Sequence, residues 1–152
     1  MLLLRTLTIA IITLLSLAIQ AKPVQDFLPK GVQFNTDIPV PSSSLGVEIG
    51  QRHIRHDQLS KYFYQLADKA DRVNIRSMGQ TAQQREQLLV TISSPDNLAK
   101  LDKILAERDL LSQDSAPFDE QESADSPLVI WLGYSVHGDE ISGANAAMIV
   151  AY

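Results

Sequence analysis

The chain has no cysteine. That excludes a disulfide framework, a thiolate nucleophile and any zinc site built on sulfur. It is also short of positive charge: 13 Lys and Arg stand against 18 Asp and Glu, a formal net charge of −5. No basic stripe is left to neutralise phosphates, so a nucleic-acid partner is not expected. Histidine is scarce, occurring at positions 53, 56 and 137. A metal bound here must be held by imidazole and carboxylate. There is no internal repeat. A length of 152 residues, 45% apolar and 20% charged, suits one domain and fits neither a disordered nor a fibrous chain.

What is present is concentrated in residues Pro127 to Tyr152. The unbroken apolar run Leu128–Leu132 opens after a Pro that cannot donate to a ladder and closes at Gly133. It predicts a strand buried on both faces. A helix rich in small residues is predicted over Ile141–Tyr152, with Ser142, Gly143, Ala146 and Ala147 small enough to press it against a sheet. In open α/β sheets ligands sit beyond the carboxyl ends of such strands. The polar group at that point is His137-Gly138-Asp139-Glu140.

His137 and Glu140 are three residues apart at the step from strand end to first helical turn, and Gly138 lets the backbone bend tightly between them. An imidazole nitrogen and a carboxylate oxygen are two of the three protein ligands in a His₂Glu zinc site. The plainer alternative is a chance spacing, with Glu140 merely compensating the helix dipole. A third ligand within this chain would have to be His53 or His56. These form their own H-x-x-H, more simply read as a polar approach to a helix start.

The stretch Leu128-Val-Ile-Trp-Leu-Gly-Tyr-Ser-Val-His-Gly-Asp-Glu-Ile-Ser-Gly-Ala-Asn-Ala-Ala-Met148 resembles the first metal-binding segment of the zinc carboxypeptidases, in their bacterial secreted branch. The resemblance implies an α/β fold with a three-layer mixed sheet, incomplete in this chain. It implies that His137 and Glu140 are ligands to one Zn²⁺, and that the activity is peptide hydrolysis by a metal-activated water. The third zinc ligand, the general-base Glu and a substrate-gripping Arg are then expected beyond Tyr152. The digestive members commonly carry Arg just before the Glu; here that place is Asp139, so the subsite role does not carry over. The H-G-x-E form is also similar to zinc deacylases acting on N-acyl amino acids, a second enzymatic reading. A non-catalytic exported binding module is a third.

Toward the N-terminus, residues 1–21 have Arg5, an apolar stretch from Leu7 to Leu17 and an exit ending in Ala21, the layout of a secretory signal peptide. Export to the periplasm or the medium is expected, with membrane contact only during passage. Residues 22–50, rich in Pro and Ser, predict an extended lead-in anchored by Phe27 and Phe34. Residues 51–152 are expected to be the N-terminal part of the catalytic domain.

Leu59, Tyr62, Phe63, Leu66 and Ala70 predict a helix from Gln58 to Ala70 with Asp57 as N-cap. The aromatic residues at 62–64 are expected to be core and rim. Val73–Gly79 and Gln87–Ser93 alternate as two antiparallel strands, joined by a bend, Ala82–Arg85, that lacks the Gly common in the family. Ser94-Pro-Asp96 starts a helix running to about Arg108. Ser112–Ser126, with five carboxylates and no cation, is read as a solvated connector. The final helix reaches Tyr152 without a stop signal, which predicts a longer polypeptide. The chain by itself is expected to be inactive.

Overall fold

The computed structural model describes residues 22–113 and 126–152. The expected signal peptide and residues 114–125 of the acidic connector lie outside the described residues. Within them the protein is a small mixed α/β domain of helices and one two-stranded antiparallel sheet. After a 3₁₀ turn at Val24–Phe27 come α1 (Pro41–Leu45), α2 (His56–Lys69), β1 (Val73–Gln80), β2 (Glu86–Ile92), α3 (Pro95–Ala99), α4 (Leu101–Leu111) and α5 (Ile141–Ala151).

Helix α2 begins two residues earlier than its apolar spacing suggests, because Asp57 is not its cap. The Asp57 carboxylate is gripped by the Arg55 guanidinium, with Nε donating at 2.9 Å and Nη2 at 2.7 Å. The side chain of Gln58 instead reaches back and accepts the Arg55 backbone N–H at 3.2 Å, satisfying one of the donors left at a helix start. Tyr62, Phe63 and Leu66 are buried on the inner face while Tyr64 remains exposed. The aromatic triplet is therefore core and rim, as its spacing implies.

Strands β1 and β2 pair from Val73 opposite Ile92 to Gln80 opposite Glu86, with a bulge at Met78 between Ser77 and Gly79. The bend without glycine is closed by a residue that carries a side chain. Thr81 O accepts the Gln84 N–H at 2.8 Å, the Thr81 N–H donates to Arg85 O at 2.8 Å, and Gln84 takes φ +59°. This is a three-residue hairpin loop with its last position left-handed, where glycine is the ordinary choice.

The helix after Ser94 is broken in two. Ser94 Oγ caps its start by accepting the Asn97 N–H at 3.2 Å. At Lys100 the backbone leaves the helical region, with φ −109° and ψ 14°, before α4 begins at Leu101.

The core forms where α2 meets α5. Tyr62, Phe63 and Leu66 pack with Ala144, Ala147 and Met148, and the 22–50 segment adds Leu45 and Ile49. That segment is thus more than an extended covering. Pro41 supplies a pre-set φ at the start of α1, and the turns that follow place two aliphatic side chains inside. Phe34 does anchor it, stacked on Tyr152 with ring centroids 5.4 Å apart and planes 11° from parallel. Phe27 is half exposed and anchors nothing.

The largest departure concerns Leu128–Leu132, which is neither a strand nor buried. A strand exists only through its ladder. Strands β1 and β2 pair with each other alone, and the backbone from Leu128 to Val136 finds no hydrogen-bond partner among the described residues. The small residues of α5 consequently press not on a sheet but on α2 and on this segment. A Cβ at Gly143 would lie 3.0 Å from the Ser135 nitrogen, so a larger residue there would push that backbone away by a few tenths of an ångström.

Candidate functional site

The His137–Glu140 group occupies a tight turn ahead of α5. Ser135 enters it with φ +57°, and the Glu140 N–H donates to His137 O at 3.3 Å. The helix starts at Ile141 as expected, and Glu140 is the residue just before it, with φ −92° and ψ 104°. Its carboxylate does not cap the helix. The side chains of His137, Asp139 and Glu140 are exposed, and none is engaged in a hydrogen bond or ion pair with another described residue. An imidazole and a carboxylate on one exposed turn, at the positive end of a helix, are donors of the type zinc takes.

Among the described residues no group of three or more His, Asp and Glu side chains could hold a metal ion. His53 and His56 therefore do not complete the set. His53 is exposed, and His56, the first residue of α2, has Nε2 3.3 Å from Ser60 Oγ. An open cleft of about 500 Å³ lies elsewhere, lined by Ser42, Ser43, Glu48 and Gln51 among others, and none of its lining residues belongs to the 137–140 turn.

One residue that matters for the site was missed in the sequence. Asn145 is buried one turn into α5, where its Nδ2 donates to Ile141 O and its Oδ1 accepts the Gly50 N–H, both at 2.9 Å. It fixes the first turn of the helix that follows Glu140. The available signal was a lone amide in an otherwise small and apolar run, Ala144-Asn-Ala-Ala147, because a buried polar side chain must find partners. Gly50 itself has φ +82°, a conformation that side-chain-bearing residues rarely adopt.

Tyr62 is the most strongly perturbed acid. Burial first, and then the nearby Tyr152, raise its phenol well above the ordinary value, while its hydroxyl donates to Pro39 O at 3.3 Å. It is a core group with a satisfied hydroxyl and takes no part in the turn at 137–140.

No family model matches the chain, and neither the comparison with known proteins nor that with solved structures finds a similar one.

Proposed function

We propose that His137 and Glu140 are two of the three protein ligands of a zinc ion in a carboxypeptidase-type metallopeptidase. The observation that carries this reading is the turn itself: two donors of the right kind, three residues apart, exposed and unengaged among the described residues, at the start of α5. The strand expected to present them is absent, so the support comes from the turn and helix alone. The finer fold, a three-layer mixed sheet of the carboxypeptidase type that is incomplete in this chain, belongs to the same proposal, as does a third ligand supplied from outside the described residues. Export through the 1–21 segment to the periplasm or the medium is part of it.

When bound, zinc supplies a water of pKa about 7 and a Lewis acid for a peptide carbonyl. His137 offers a ring-nitrogen lone pair, and Glu140 a carboxylate oxygen. Gly138 between them has neither a positive φ nor a close neighbour, so the turn does not depend on a glycine at that place. Asp139, an anion where the digestive enzymes have Arg, disfavours anionic substrate groups beside the metal.

Metal content tests the reading. Protein carrying all its ligands is expected to bind about one zinc per chain, and His137→Ala or Glu140→Ala to abolish both metal binding and peptide hydrolysis. Peptide hydrolysis that persists in either variant without metal overturns it. Turnover of N-acyl amino acids in preference to peptides replaces it with a deacylase.

A further inference from the structure

The stretch after Pro127 is presented rather than packed. The side chains from Leu128 to Leu132, together with Tyr134 and Val136, are all exposed, with Leu128 at 84%, Ile130 at 72% and Trp131 at 71%. A single aromatic side chain covers about 150–250 Å², so the run exceeds the few hundred Å² of contiguous apolar surface usual for a monomer. It approaches the scale of about 800 Å² that each partner contributes to a stable dimer.

The stretch is also held at both ends. Arg108 Nη1 donates to Pro127 O at 3.3 Å, tying its start to α4. Ser135 is pressed against Gly143, tying its end to α5. Between these anchors the backbone N–H and C=O groups are unpaired among the described residues. Leu128–Tyr134 carries no charge and no proline and is rich in β-branched and aromatic residues, the composition of a segment that pairs with its own kind.

We propose that Leu128–Leu132 is a docking strand that pairs antiparallel with the same segment of a second copy of this chain. The absence of charge means that no like-charged pair is brought face to face. Pro127 and Gly133 bound the run symmetrically about Ile130. A two-fold axis at Ile130 sets Leu128 opposite Leu132 of the other copy and Ile130 opposite itself, the self-complementary arrangement of a closed dimer. The zinc reading plays no part in this inference.

The test measures the mass of the full chain in solution by light scattering and sedimentation. A discrete dimer is expected, lost in Ile130→Pro, which removes a ladder donor, and in Trp131→Lys, which places like charges in the interface. Neither residue is buried and the segment has no secondary structure, so both variants should keep the wild-type circular dichroism and melting curve. Because the chain lacks cysteine, Ile130→Cys gives an unambiguous reporter. Opposed Cα atoms in an antiparallel pair lie about 4.5–5.5 Å apart, within the span a disulfide bridges. Ile130→Cys should therefore form a disulfide-linked dimer at least tenfold faster than the exposed control Ser43→Cys. A monomeric wild type, a dimer that survives both Ile130→Pro and Trp131→Lys, open-ended aggregates in place of a closed pair, or equal cross-linking of the two cysteine variants would each overturn the proposal.

Discussion

The amide of Asn145 joins Gly50 to Ile141, accepting from the first and donating to the second, both at 2.9 Å. Ninety-five residues separate Asn145 from Gly50 along the chain, so this side chain locks the N-terminal segment onto the helix behind the His137–Glu140 turn. Asn145→Ala removes both of these bonds, the one to the Gly50 N–H being part-buried, and should cost about 0.5–1.5 kcal/mol for each. Urea unfolding would show it as a lower midpoint with an unchanged slope. Asn145→Asp keeps an acceptor but buries a carboxylate and sets it against Ile141 O, so it should cost at least as much in neutral solution as Asn145→Ala.

Gln84 closes the β1–β2 hairpin at φ +59°. A left-handed conformation costs a side-chain-bearing residue roughly 1–2 kcal/mol, and glycine returns part of that gain through its freer unfolded chain. Gln84→Gly is therefore expected to stabilise the protein by about 0.5–1 kcal/mol. A lower melting temperature for this variant would contradict the loop geometry.

Tyr62 connects the core to alkaline pH. Its folded-state pKa is raised, so the neutral phenol is favoured in the folded protein. The unfolded phenol titrates near about 10. The stabilisation is thus complete below that value and is lost as pH rises above it, because the unfolded chain then releases its proton first. Melting temperatures between neutral and strongly alkaline pH should fall more steeply in the wild type than in Tyr62→Phe, which has no proton to lose.

Ser94→Ala removes the hydroxyl that caps α3 and should cost about 1 kcal/mol. His137→Ala offers the contrast. An exposed imidazole with no described partner should leave stability within about 0.5 kcal/mol of wild type. Loss of metal binding in that variant would then report on ligation and not on folding.

Where local pattern decides the outcome, the sequence was legible. The apolar stripe of α2, the alternation of β1 and β2, the Ser94 cap and the run of α5 are readable because each follows from neighbours within about four residues or from one hairpin. Single residues misled where a nearby competitor took the partner. Asp57 reads as a cap until Arg55 claims its carboxylate and Gln58 reaches back instead. The candidate metal pair was legible as a spacing, while the exposure of both side chains and the role of Asn145 behind them were not.

By itself, then, the sequence determined the secondary elements that depend on local periodicity, the absence of cysteine chemistry, and the placing of His137 and Glu140 on one short connection. Tertiary structure alone decided that Leu45 and Ile49 enter the core, that Asn145 holds Gly50, and that Leu128–Leu132 stays outside the sheet. The physical reason is that burial and strand pairing belong to pairs of distant segments. An apolar run announces its need for a partner, but which segment satisfies that need is not written in the run.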